Sequence, residues 1–174
     1  AGLRQLHDAR ALEAQVDAVY CRFFLMHLKH PELALKNVFQ LLKPHGKLFV
    51  EEPTGLDTIK CYPMTESFAR FLDLGYQQFQ IYHTDPAIGS KLAGQLHDLG
   101  FSTVSSQLFH PILQTPDERS MIRLSAEALS FAFVEKQLLS KESMQAICQG
   151  LKVVENDPMY FVTYLQVAQI CAEK

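Results

Sequence analysis

One continuous stretch, residues 16–53 (VDAVYCRFFLMHLKHPELALKNVFQLLKPHGKLFVEEP), constrains the chain more than any other. An apolar run, a capped amphipathic segment, a turn and a second apolar run follow without a gap. Two strands joined through a helix cannot form a hairpin, so they pair in parallel, and the crossover is right-handed. Residues 17–22 (DAVYCR) are β-branched and aromatic and predict the first strand. Both of its faces are apolar, so it is expected to be buried on both sides. His30-Pro31-Glu32 places proline at the first helical position with an acid beside it. Leu35, Val38, Phe39 and Leu42 then recur at helical spacing and form one apolar face. Lys43-Pro44-His45-Gly46 predicts the end of that helix and a turn. Residues 47–51 (KLFVE) predict the second strand, which stops at Glu52-Pro53 because proline cannot continue a central ladder.

The flanking chain extends this alternation. Residues 2–14 (GLRQLHDARALEA) favour helix by propensity, yet Leu3 and Leu6 could equally end a strand with Asp8-Ala9 in the loop after it. Residues 54–84 predict loop and a helix over about 65–79. Asp85-Pro86 predicts a helix with Asp85 as its cap, Ile88, Leu92, Leu96 and Leu99 on one side, and Gly100 as its stop. Residues 101–109 (FSTVSSQLF) predict a strand with one wetter face. A long helix starts at Thr115-Pro116 and runs to about 139. It is apolar nearly all round and is therefore expected to be covered on more than one side. Ser140 caps another helix whose Met144, Ile147, Cys148 and Leu151 share a face. After a turn at 156–158, residues 159–169 (MYFVTYLQVAQ) predict the last strand. The expectation is one α/β domain over residues 1–174.

Composition narrows the function classes. The formal net charge is −3 with no extended basic run, which argues against a nucleic-acid footprint. Cys21, Cys61, Cys148 and Cys171 share no metal or redox spacing, and reduced, buried thiols in a cytoplasmic protein are expected. The seven histidines show no HExxH or comparable pattern, so no metal is expected. No apolar run approaches the roughly 20 residues of a membrane helix, and the N-terminal residues have no signal-peptide core.

The letters DAVYCRFFLMHL at 17–28, HPE at 30–32, LLKPHG at 41–46 and LFVEEP at 48–53 resemble the second half of a class I, S-adenosylmethionine-dependent methyltransferase. His45 stands where that family has the first of two turn glycines. DPAIG at 85–89 and LxDLGF at 96–101 resemble the helix before the family's sixth strand, and MYFVTYLQV at 159–167 its antiparallel seventh. The resemblance implies a partial Rossmann-like methyltransferase sheet, with strands in the order 4-5-7-6, the last antiparallel, and flanking helices. No G-x-G occurs in the chain. It is therefore expected to be the C-terminal part of such a domain, lacking the glycine-rich cofactor loop and inactive alone. The family's first two strands belong beside the strand at 17–22, so an exposed edge there is expected to pair with a second copy in a homodimer, or to be covered by residues 1–14 folded as helix.

The resemblance also implies site residues. Asp8 would accept from the adenine amino group of S-adenosyl-L-methionine, and Ala9 would donate its backbone N–H to the ring; otherwise Asp8 is a solvated charge. Cys21 and Arg22 lie at the carboxyl end of a strand, where open α/β sheets bind ligands. Their loop would meet the methionine part of the cofactor, and Cys21 reads equally as core. Glu51 and Glu52 end the next strand, where only one can face the cleft; Glu52 is the candidate acceptor contact. Tyr62 and His83 are further candidates, on the helical, acceptor-side segments at 54–84 and 116–156, with surface or packing roles as the alternative. His27 reads as a packing residue. Methyl transfer from a sulfonium is an in-line displacement that needs alignment and a dry site. No catalytic residue is therefore assigned. The implied partner is a small-molecule methyl acceptor, with neither nucleic acid nor membrane. The alternative is a non-catalytic α/β module that binds a partner or dimerises.

Overall fold

The computed structural model describes residues 16–174. Asp8 and Ala9 lie outside the described residues. The chain divides into two compact units. One holds the described residues up to Gly55 with Thr84–Phe109 and Gln166–Lys174; the other holds Leu56–His83 and His110–Leu165.

The first unit is a mixed sheet of four strands. Strand β1 (Val16–Arg22) leads through a single-turn 3₁₀ helix at Leu25–His27 into helix α1 (Pro31–Leu41). Strand β2 (Leu42–Pro53) follows directly. The expected turn at residues 43–46 is absorbed into β2 as a bulge. Val16 pairs with Leu42 and Ala18 with Lys47, so two steps of β1 face five of β2. His45 takes up the reversal in the left-handed region, at φ 64°. Its N–H donates to the Lys174 carbonyl at 3.1 Å, which helps hold that conformation.

Helix α3 of this unit (Leu92–Asp98), which follows α2 (Glu66–Tyr82) of the other unit in the chain, precedes strand β4 (Thr103–Phe109). The sheet is completed by β7 (Val167–Glu173). The order is β1-β2-β7-β4. The β1–β2 pair is parallel, and β7 is antiparallel to both of its neighbours. The mixed α/β architecture therefore matches the reading from sequence.

The expected helix at Asp85-Pro86 starts later. The Asp85 carboxylate accepts from the Ala87 N–H at 2.9 Å and so caps a turn. A 3₁₀ turn at Ile88–Ser90 intervenes before α3. Gly89 is the reason for this tight packing. A Cβ there would overlap the carbonyl oxygens of Glu52 and Pro53 at the end of β2.

One sheet face is packed. Leu48, Val50, Ile170 and Ala172 meet Leu35 of α1, Ile88, and Leu92 and Leu96 of α3, all nearly inaccessible. Each of the Leu, Ile and Val side chains contributes about 1.5–3 kcal/mol. The opposite face is open, with Tyr20 62% and Phe49 42% exposed. The expectation that residues 17–22 are buried on both sides is thus corrected: only Val19 and Cys21 point toward α1. Among the described residues, β1 pairs with β2 alone.

The second unit is mostly helical. Helix α2 (Glu66–Tyr82) starts at Thr65, whose hydroxyl accepts from the Phe68 N–H at 3.1 Å. Helix α4 (Pro116–Glu135) opens with a full capping box between Thr115 and Glu118. Helix α5 (Lys141–Asn156) is capped by Ser140. Phe68, Phe71, Ile122, Phe133, Ile147 and Leu151 form the core. The long helix is covered on one side only, correcting the expectation from its composition. Leu124 and Phe131 are 51% and 71% exposed.

Three short strands complete this unit: β3 (Cys61–Tyr62), β5 (Ile112–Leu113) and β6 (Phe161–Thr163), in the order β3-β6-β5. The single last strand expected at 159–169 is therefore two strands in two sheets. The chain leaves β6 at Thr163 and enters β7 at Val167.

Two glycines of the first unit should respond in opposite directions. Gly89→Ala should destabilise by about 1–3 kcal/mol, because the added methyl meets backbone that cannot give way. Gly94 lies inside α3, and a Cβ there would meet nothing within 4 Å, so Gly94→Ala should stabilise by about 0.5–1 kcal/mol. Urea unfolding of the two variants beside the wild type checks both signs.

Candidate functional site

The carboxyl ends of β1 and β2 converge on one buried group. Adjacent residues of a strand point to opposite faces, so Glu51 and Glu52 separate. Glu52 shares the packed face with Leu48 and Val50 and is fully buried, at 0% exposure. Its Oε1 accepts from the Phe24 N–H at 2.8 Å and the Leu25 N–H at 2.7 Å, and its Oε2 from the Met26 N–H at 3.3 Å. The Cys21 thiol donates to Oε1 at 3.8 Å. Hydrogen bonds to a charged acceptor are worth about 1.5–3 kcal/mol each, and each buried N–H left unmet costs about 1–3 kcal/mol. This carboxylate therefore decides the shape of the loop after β1.

The loop needs such a hold. Phe23 sits in the left-handed region at φ 47°, costly for a residue with a Cβ. Its N–H donates to the Glu51 carbonyl at 2.9 Å, extending the parallel ladder one step beyond β1. Leu25 and Met26 then turn their side chains into the interior. The N–H groups of His27 and Leu28 close onto the carbonyls of Phe24 and Leu25 at 3.1 and 3.0 Å. An apolar cavity of about 270 Å³ lies between β1 and α1, lined by Val19, Cys21, Leu25, Ala34, Leu35 and Val38 among others.

The open face carries a polar rung across the whole sheet. Arg22 Nε lies 3.3 Å from Glu51 Oε2. Gln169 donates to Glu51 Oε1 at 3.0 Å, and Gln107 donates to Gln169 at 2.9 Å. These four residues are in register on β1, β2, β7 and β4. One step away, Tyr20, Phe49, Cys171 and Ser105 form the next rung and line a shallow cleft of about 530 Å³.

The candidate residues from sequence are thus distributed as follows. Cys21, Arg22 and Glu52 meet at the carboxyl ends of β1 and β2. Arg22 is exposed, with its guanidinium 5.2 Å from the Phe23 ring. Glu52 is fully buried, and both of its oxygens accept from backbone N–H groups of the loop. Tyr62 and His83 belong to the other unit. Tyr62 is 75% exposed on β3. His83 is exposed and ends α2 in the left-handed conformation at φ 54°. His27 is exposed at the end of its 3₁₀ turn, not packed inside. Sequence reasoning missed the role of Glu52, although its phase with Leu48 and Val50 marks it as buried.

Electrostatics at this site keep the thiol protonated. Burial, followed by the adjacent Glu52 carboxylate, pushes Cys21 up from 9.0 to about 12. In the other unit burial lifts Cys61 to about 11, opposed in part by Arg119. A raised thiol pKa favours the protonated fold. That contribution is intact below pH 9 and is lost as pH rises toward 12. Among the described residues no group of three or more His, Cys, Asp or Glu side chains is placed to hold a metal ion. Nor is any helix among them long and apolar enough to cross a membrane.

The thiolate is the nucleophile in alkylation, and at pH 8 its share at Cys21 is on the order of 10⁻⁴. Iodoacetamide at pH 8 should therefore leave Cys21 unlabelled in the native protein and label it fully after denaturation. Peptide mass spectrometry reads both states.

A family model described as a methyltransferase domain matches residues 3–106. No curated protein matches the chain. Among solved structures, a protein of Bacillus halodurans assigned as a methyltransferase is similar at 14% identity and TM-score 0.53, over 93% of this chain and 71% of that one. An S-adenosylmethionine-dependent methyltransferase of Archaeoglobus fulgidus is similar at 18% identity and TM-score 0.49, over 97% and 64%. Phosphoethanolamine N-methyltransferase 2 of Haemonchus contortus, solved with phosphomonomethylethanolamine and S-adenosylhomocysteine, is similar at 17% identity and TM-score 0.45, over 94% and 34%. The chain therefore spans only about a third of the Haemonchus enzyme's length. At these identities the Bacillus structure shows a common fold. The family match covers more than half of the chain, and with the parallel β1–α1–β2 crossover and the antiparallel β7 it places the chain in the methyltransferase domain family.

Proposed function

We propose that the chain forms part of an S-adenosylmethionine-dependent methyltransferase with a small-molecule acceptor. The observation that carries this reading is the loop after β1, fixed at the carboxyl end of a parallel strand, where α/β sheets take ligands. Supporting it, the family resemblance would make β1, β2, β4 and β7 the fourth, fifth, sixth and seventh strands of such a sheet. Their order β1-β2-β7-β4 then reads 4-5-7-6. The net charge of −3 fits a small acceptor better than a nucleic acid.

The residues present fit one side of the cofactor. The main chain of Cys21 and Arg22 and the loop at 23–27 form a wall with an apolar interior behind it. The cofactor supplies a methyl group already activated by the positive charge on sulfur. Leu25 and Met26 help keep water from the wall, and Glu52 fixes its shape. The protonated Cys21 thiol offers no nucleophile to compete for the methyl group. No residue is assigned to proton transfer, since a base is required only when the acceptor must lose a proton. Asp8 and Ala9 would contact adenine, by the family resemblance alone. Tyr62 and His83 would stand on the acceptor side.

A second reading is favoured by the edge of β1, which among the described residues pairs with no second strand, and by the exposed Tyr20 and Phe49. Exposed edges recruit other strands. In that reading the chain is a non-catalytic module that pairs with a second copy through residues 17–22.

Titration of ¹⁵N-labelled protein with S-adenosylhomocysteine to millimolar concentration separates the two. Methyl transfer predicts amide shifts concentrated at residues 21–27 and 51–54. Shifts elsewhere, or none, reject the cofactor reading. Light scattering across a concentration series tests the module: a mass that doubles on concentration supports the dimer, and a monomer throughout removes it.

A further inference from the structure

We propose that Glu52 is a positioning residue for the cofactor, holding the loop after β1 in its ligand-competent shape as a built-in anion. This rests on the reading of residues 21–27 as the cofactor-side wall. Three successive N–H groups, of Phe24, Leu25 and Met26, converge on one carboxylate. Converging N–H dipoles repel one another unless an anion sits between them, and such backbone nests ordinarily bind external anions. Here the anion is a side chain of the neighbouring strand, wholly removed from solvent.

The carboxylate cannot retreat. The backbone of Glu52 is pinned from behind by Gly89, whose missing Cβ allows the 3₁₀ turn to press on the Glu52 and Pro53 carbonyls. It is pinned in front by Thr54, whose N–H donates to the Gln166 carbonyl at 2.9 Å and whose hydroxyl donates to Gln166 Oε1 at 3.0 Å. A fixed carboxylate thus imposes its position on the loop. In a trans peptide the carbonyl points opposite to the N–H of the following residue. Turning the Phe24 N–H inward therefore turns the Phe23 carbonyl away from Glu52. The strained φ at Phe23 is the conformation that this demand requires. Glu52 reaches no ligand itself; it decides which backbone groups the loop presents.

Amide exchange and S-adenosylhomocysteine titration of the 174-residue chain test this together, with Glu52→Ala, Glu52→Gln and the core variant Leu92→Ala. In Glu52→Ala the amides of Phe24, Leu25 and Met26 should exchange at least about ten-fold faster, with Leu48 and Ile170 unchanged. S-adenosylhomocysteine should bind that variant at least about ten-fold more weakly. Glu52→Gln keeps one acceptor oxygen, so it should retain protection at Phe24 and Leu25, lose it at Met26, and bind with intermediate affinity. Leu92→Ala lowers stability while leaving the Glu52 carboxylate and its donors in place, and should bind as the wild type does wherever it is folded. Wild-type exchange or wild-type affinity in Glu52→Ala overturns the proposal. So does a Leu92→Ala protein that binds as weakly as Glu52→Ala. A wild-type chain whose amides at 21–27 do not respond to S-adenosylhomocysteine overturns the cofactor reading, whatever the exchange data show for the loop.

Discussion

The burial of one carboxylate organises the ligand-side end of the sheet. A charged group is taken fully out of water only where its desolvation is offset by hydrogen bonds to the ionised form. Glu52 meets that condition with three backbone N–H groups from the loop after β1. The dependence is mutual. The three donors of the loop find their acceptor in the carboxylate, and the carboxylate finds its donors in the loop. The left-handed Phe23 accompanies that arrangement, and the carboxylate adds to burial in keeping Cys21 protonated.

The sheet around this centre is asymmetric. One face is closed by α1, α3 and the turn at Ile88–Ser90. The other carries an aromatic rung next to a rung of linked polar groups, Arg22, Glu51, Gln169 and Gln107. Such exposed links are each worth little. Their effect is on register: the four side chains meet only when the four strands are aligned as observed. Exposed Tyr20 and Phe49 set beside that polar rung give the face a mixed character, apolar enough to be covered and polar enough to stay dissolved.

Much of the local structure was legible because its causes are local. Pro31 starts α1, Thr65 and Ser140 cap α2 and α5, and Thr115 with Glu118 builds a capping box, all from contacts within one helical turn. Where the reading failed, the cause lay farther along the chain. Asp85 looked like a helix cap, but the helix waits for Gly89 to clear the end of β2, more than thirty residues away in sequence. Residues 159–169 looked like one strand because their apolar pattern is unbroken. Nothing local says that β6 joins β3 and β5 while β7 goes to β2 and β4. Burial was misjudged for the same reason. Composition made residues 17–22 and the long helix look covered on several sides, whereas coverage depends on which neighbours arrive.

The glutamate pair at the end of β2 shows where the division falls. Strand periodicity determined that Glu51 and Glu52 point to opposite faces, and the phase of Leu48 and Val50 determined which faces inward. The sequence also determined the parallel crossover, because a strand, a helix and a strand of these lengths pack in one way. Only the tertiary structure decided what the inward carboxylate does. The N–H groups it accepts from lie on a loop 26 to 28 residues earlier in the chain. That partnership exists only once β1 and β2 lie side by side. A hydrogen bond between distant segments leaves no periodic trace in either one.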